Sequence, residues 1–169
     1  MSITSATSSL ASSRGVGQGG KYLTFALGKE EYGLAILKVR EIIGLLDITA
    51  VPQTPPYVKG VINLRGQVIA VIDLRAKFAM APRERTEETC IIVVESQHEG
   101  TKRSTGIIVD RVSEVLNIPA DKIEDPPSFG MADDADFILG MGKVGKSVKI
   151  LLNIDRILSS VDIVPITAN

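Results

Sequence analysis

The chain repeats itself, and the repeat limits the folds open to it. Gly33-Leu34-Ala35-Ile36-Leu37-Lys38-Val39-Arg40-Glu41-Ile42 aligns with Gly106-Ile107-Ile108-Val109-Asp110-Arg111-Val112-Ser113-Glu114-Val115, 73 residues on. The shared pattern is Gly-Φ-x-Φ-x-[Lys/Arg]-Val-x-Glu-Φ, with Φ apolar. Further along, Val68…Val71-Ile72-Asp73-Leu74 aligns with Val148…Leu151-Leu152-Asn153-Ile154, at an offset of 80. The order is the same in both halves, and the larger second offset fits a longer loop around 125–136. One such match is within reach of chance; two in the same order imply two similar small lobes.

The local patterns are those of short strands. Tyr22–Leu27, a Gly28-Lys29-Glu30 turn and Glu31–Leu34 read as one hairpin. Val61–Leu64, Arg65-Gly66-Gln67 and Val68–Leu74 read as a second. Apolar residues at 36, 39, 42 and 43 predict a short helix ended by Gly44. The three prolines of Pro52–Pro56 make a loop, and the charged stretch 81–89 is a natural boundary. Strands resume at Cys90–Glu95 and Thr105–Val109 around a polar turn, Ser96–Ser104. A short amphipathic stretch runs to Leu116, Asp125–Asp136 is a loop, and Phe137–Met141 and Val148–Ile154 close the pattern. Each half would hold about five short strands, and closing each set into a barrel removes exposed edges. A groove is expected between the two lobes.

Much chemistry is excluded. The net charge of -1, with three Tyr, four Phe and no Trp, does not suit a nucleic-acid surface. The single cysteine, Cys90, lies in an apolar run and reads as a buried, inert thiol. The single histidine, His98, lies in a polar turn, and there is no His pair for zinc. Asp133, Asp134 and Asp136 lack the glycine and terminal glutamate of a calcium loop. No cofactor or metal is expected. Gly140-Met141-Gly142-Lys143-Val144-Gly145-Lys146-Ser147 matches the phosphate-binding pattern Gly-x₄-Gly-Lys-Ser, in which Lys146 and Ser147 would serve phosphate and Mg²⁺. That motif works only where a helix follows. Here Val148–Ile154 follows, β-branched and apolar, so a hairpin turn is expected and a nucleotide enzyme is the less favoured alternative. Residues 1–20 have no apolar stretch of signal-peptide type, and no run approaches the ~20 apolar residues of a membrane helix. The expectation is a cytoplasmic protein with a flexible tail at 1–20, a domain at 21–160 with lobes of approximately 21–85 and 86–160, and a tail at 161–169.

The segment Gly60-Val61-Ile62-Asn63-Leu64-Arg65-Gly66-Gln67-Val68-Ile69-Ala70-Val71-Ile72-Asp73-Leu74-Arg75 resembles the signature hairpin of the CheW family of chemotaxis coupling proteins. Glu31–Ile42 before it and Gly106–Leu116 after it resemble that family too, so the likeness spans about residues 20–160. Ala70 departs from it, since the family usually has proline there. The resemblance implies a mainly β fold of two intertwined SH3-like five-stranded β-barrel subdomains with a few short helices. It implies a non-enzymatic adaptor, recruited to membrane-associated receptor arrays, that couples the cytoplasmic tips of methyl-accepting chemotaxis receptors to the regulatory domain of a histidine kinase. CheW-like adaptors of pilus or other non-flagellar systems are an alternative within the same family. Carried over from the family, the receptor-binding residues are Val39, Glu41, Gly60, Asn63 and Arg65, and Phe129 is a weaker kinase contact. Val39 would give apolar contact, Glu41 and Arg65 would pair with receptor charges, and Gly60 would keep a groove wall low.

Overall fold

Short runs rich in Val, Ile and Leu, bounded by turn residues, make nearly every element a strand. The computed structural model describes residues 19–126 and 137–159. Its strands are β1 (Gly20–Leu27), β2 (Glu30–Ala35), β3 (Val39–Gly44), β4 (Val58–Leu64), β5 (Gln67–Asp73), β6 (Cys90–His98), β7 (Thr101–Val109), β8 (Arg111–Ile118), β9 (Ile123–Glu124), β10 (Ile138–Val144) and β11 (Ser147–Leu152). Helix α1 (Leu74–Lys77) follows β5, and α2 (Ile154–Ser159) follows β11.

The strands form two sheets, β3-β6-β7-β5-β4 and β8-β1-β2-β11-β10-β9. Laid side by side, the orders are the same under the repeat, with β8, β1, β2, β11 and β10 standing for β3, β6, β7, β5 and β4. Each half therefore lends its first hairpin to the other half's sheet. The boundary near residue 85 describes the repeat along the sequence, while in space each sheet draws strands from both halves. One sheet has the expected five strands. The other has a sixth, the two-residue β9, whose counterpart in the first sheet is a single bridge, Thr49 to Val61.

The borrowed hairpins are joined by the only parallel pairings among the described strands: β5 with β7 (Val71 opposite Gly106) and β11 with β2 (Leu151 opposite Gly33). These are the two repeat glycines. A β-carbon on Gly33 would lie 2.8 Å from Leu151 Cδ2, and one on Gly106 would lie 2.8 Å from Ile91 Cγ2. Glycine is required there by packing, not by backbone conformation.

The period-two pattern then supplies three cores. Ile62, Ile69, Val71, Ile91 and Val93 fill the inside of the first sheet. Tyr22, Ile118, Ile123 and Leu151 fill the second. Leu23, Phe25, Leu34, Ile72, Ile92, Val94, Ile107 and Leu152, with α1 and α2, form the largest cluster, on the opposite faces of the same strands. On β6, for instance, Ile91 and Val93 point into one core and Ile92 and Val94 into another. The space between the lobes is thus occupied by core where a groove was expected. The helices lock it from both sides in the same way: Asp73 N–H donates to the Tyr57 carbonyl and Asn153 N–H to the Phe137 carbonyl, both at 2.8 Å. Each of those side chains then accepts from a backbone N–H in the following helix, Arg75 at 3.0 Å and Arg156 at 3.2 Å.

Three local readings are corrected. The helix expected over 36–43 is a single 3₁₀ turn, Ile36–Lys38, after which the chain runs as β3. Val39, Ile42 and Ile43 are β-branched, and pairing with β6 outweighs a helical stripe of three turns or fewer. The polar stretch 96–104 is not all turn. Pairing continues out to His98 opposite Thr101, leaving only Glu99 and Gly100, both at positive φ, to turn the chain. Polarity there reported exposure of the hairpin's end. Cys90 is half-buried rather than fully buried, and burial pushes its thiol pKa up.

Gly106→Val is expected to destabilise the protein by about 1–3 kcal/mol, because the site has no room for the added carbons. Val68→Ser, on an exposed strand face, should change stability by less than about 0.5 kcal/mol. Urea denaturation of both variants checks this, and equal midpoints would contradict it.

Candidate functional site

The residues singled out by resemblance gather on the first sheet, where its edge strands β3 and β4 approach one another. The β4–β5 hairpin turns on Arg65 (φ 53°) and Gly66 (φ 87°). Two positive φ values in succession are those of a two-residue I′ turn, which suits the strand twist. Asn63 stabilises it: its Oδ1 accepts from Gly66 N–H at 2.8 Å. That geometry throws the Arg65 side chain back across the seam, where it donates to Glu41 Oε2 on β3. Arg65 is 67% exposed and Glu41 27%. An ion pair this open contributes little to stability, about 0–1 kcal/mol. Beside it, Arg40 donates to Ser104 Oγ at 2.6 Å.

The structure brings Glu41, Asn63 and Arg65 together and separates the other two from the open surface. Val39 is half-buried and packs on the central core. Gly60 is buried. A β-carbon there would lie 2.0 Å from the Thr49 carbonyl oxygen, and its φ of 141° disfavours any side chain. The backbone that approaches Gly60 closely is therefore the chain's own, in place of a partner's, and its counterpart Gly140 meets β9 in the same way. Phe129 lies outside the described residues. Sequence reasoning passed over Val68, 61% exposed and directly opposite Asn63, and Ile42, 45% exposed next to Glu41. The available signal was the strand period, which places Val68 on the outer face of β5 with no core residue to meet.

The second sheet has equivalents that lack this chemistry. Val148 and Val115 are exposed as Val68 and Ile42 are. But the turn carries Gly145 where the first carries Arg65, and Glu114, matching Glu41, has its backbone N–H and carbonyl tied to Thr24 Oγ1. The phosphate-loop match is this same hairpin. Gly140, Gly142 and Lys143 lie in β10, Gly145 and Lys146 form the turn, and Ser147 begins β11. The amides that would cradle phosphate pair with β11 and β9, and no helix follows the turn. Among the described residues no group of three or more His, Cys, Asp or Glu is placed to hold a metal, and no helix is long and apolar enough to cross a membrane.

The family model for the CheW-like domain matches residues 21–162. This chain belongs to the CheW-like family. It is 41% identical over 155 residues to the chemotaxis protein CheW of Klebsiella aerogenes, covering 92% of this chain and 90% of that one. It is 34% identical over 146 residues to the chemotaxis protein CheW of Treponema pallidum, covering 82% and 81%. The solved structure of the scaffolding protein TtCheW from Thermoanaerobacter tengcongensis superposes with a TM-score of 0.74 at 35% identity, covering 83% of this chain and 92% of that one. The mainly β, two-sheet architecture is that of the CheW family.

Magnesium-ATP is expected to give no saturable heat of binding with this CheW-family chain, with or without Lys146→Ala. Saturable binding that disappears in Lys146→Ala would contradict the hairpin geometry.

Proposed function

We propose that the chain is a non-catalytic chemotaxis adaptor that holds a receptor's cytoplasmic tip on the seam of its first sheet and the regulatory domain of a histidine kinase on another face. The observation that carries this reading is the Glu41–Arg65 pair, which joins the two edge strands of the first sheet with Arg65 open to solvent and has no equivalent in the second sheet, where Gly145 replaces the arginine. In a molecule whose two lobes repeat each other so closely, chemistry found on one copy alone marks a specialised surface. Family membership supports the chemotaxis role.

The geometry suits a helical partner. Receptor tips are helical hairpins according to the family resemblance, and a helix can lay an apolar face beside the exposed Val68 while its charges meet Arg65 and Glu41. Glu41 and Arg65 are already neutralised by each other in the free protein. Exchanging that contact for charges of the right sign on a partner costs little, whereas the wrong sign leaves an unpaired charge, so the pair sets register and specificity more than affinity. Gly60 and Asn63 then act from behind, by allowing Thr49 to pair with β4 and by holding the turn that aims Arg65. Phe129 stands as a proposed kinase contact from the family likeness. The chain would work at the cytoplasmic side of receptor-bearing membranes and need no cofactor.

Arg65→Glu should weaken capture by receptor-bearing membranes by about tenfold, which is about 1.4 kcal/mol, while leaving the denaturation midpoint unchanged. Reciprocal exchange, Glu41→Arg with Arg65→Glu, rebuilds the internal pair but should not restore capture. Unchanged capture by the single variant would sink the assignment of this surface.

A further inference from the structure

Two short linkers carry the chain from one sheet to the other: Ile36–Lys38 between β2 and β3, and Asp110 between β7 and β8. Each meets the helix of the opposite half. Asp110 of the second half accepts from Arg75 of α1 in the first half, at 3.1 Å to Nε and 3.2 Å to Nη2. Lys38 of the first half donates to Asp155 of α2 in the second half, at 2.7 Å. The same backbone donor completes both junctions, since Gly28 N–H donates to Asp110 Oδ2 at 2.7 Å and its repeat mate Gln97 N–H to Asp155 Oδ1 at 3.1 Å.

The junctions are alike in place and opposite in polarity. In one the carboxylate comes from the linker and the cation from the helix; in the other the roles are exchanged, with Lys38 and Asp110 one position apart in the repeat. As a result the first half carries the cations, Lys38 and Arg75, with Arg83 also donating to Asp110 Oδ2 at 2.9 Å, and the second half carries the carboxylates, Asp110 and Asp155. The backbone repeat would otherwise allow a first half to pair with the first half of another copy, since the strand order is the same. In that arrangement Arg75 would face Lys38, and Gly28 N–H would lose its acceptor. In the matching pair of second halves, Asp155 would face Asp110.

We propose that these four charges form a pairing code that makes each half of the chain complete itself with the unlike half and blocks association of two copies through like halves. The junction of Arg75 with Asp110 carries most of the discrimination: their side chains are only 13% and 14% exposed, so a like charge there is poorly screened. The Lys38–Asp155 junction, more open, adds the second constraint. The same logic fixes partners in coiled coils through complementary flanking charges.

The test uses the full chain. Exchanging the linker charges alone, Lys38→Asp with Asp110→Lys, makes like halves complementary and unlike halves repulsive. Light scattering is expected to show a twofold or larger increase in mass over the unaltered chain. Adding Arg75→Asp and Asp155→Arg reverses all four charges, and Arg83→Gln removes the further cation against residue 110; this restores the match of unlike halves and should return the mass to that of the unaltered chain. A linker-exchanged variant that keeps the parent mass, whether folded or unfolded, overturns the proposal. So does a four-charge variant that remains associated.

Discussion

The parallel pairing of β5 with β7, and of β11 with β2, is the contact on which the rest of the molecule depends. It is where each half of the chain accepts the other's hairpin. Bare backbone meets it from the borrowed hairpin: at Gly33 a β-carbon would lie 2.8 Å from Leu151 Cδ2 across the pairing, and at Gly106 it would lie 2.8 Å from Ile91 Cγ2 of the neighbouring β6 and 3.5 Å from Val71 Cγ2 across the pairing. Once the hairpins are exchanged, alternate residues on the shared strands fall on two faces. One set fills a sheet's interior and the other fills the space between sheets. Among the described residues, the apolar faces between the two sheets are packed on each other as core.

That arrangement also explains where binding chemistry can sit. The inner faces and the interlobe faces are committed to core, so what remains is the outer faces, the strand edges and the hairpin ends. The first sheet places its β4–β5 turn at the seam of its two edge strands, with an arginine in a left-handed conformation stabilised by Asn63. The second sheet places a glycine there and closes differently, with Lys143 on Glu124 at 2.7 Å. Asp110, in contrast, is committed to structure. Burial alone would raise its pKa, but the Arg75 hydrogen bond, the Gly28 N–H and the charges of Arg75 and Arg83 outweigh that and hold it below the usual aspartate range. Its contribution to stability is therefore present above its unfolded value of about 3.9 and is lost as pH falls through its lower folded value.

Much of this was legible in the residues. The repeat of Gly33–Ile42 in Gly106–Val115 predicted two like lobes, and the apolar residues after Ser147 exposed the phosphate-loop match as a hairpin. Four things were not legible. Apolar positions at 36, 39, 42 and 43 fit a helix as well as a bulged strand, and only pairing with β6 separates them. The exchange of hairpins is a matter of which strands meet, at separations from 35 residues (Val71 with Gly106) to 118 (Ile150 with Tyr32); no local pattern encodes it, and it entered only as what the family resemblance implies. Gly60 reads from sequence as a low wall for a partner; its real neighbour, Thr49, is brought back by the proline-containing loop between β3 and β4. The Glu41–Arg65 contact was missed for the same reason, although both residues were named.

The proposed coupling role requires this chain to hold two partners at once. Co-sedimentation of the kinase with receptor-bearing membranes, with and without the chain, tests it most directly. A coupling chain makes the kinase pellet in proportion to the amount of chain added, and itself pellets with the membranes even when kinase is left out. Kinase sedimentation that does not depend on the chain, or a chain that stays in the supernatant, would contradict it.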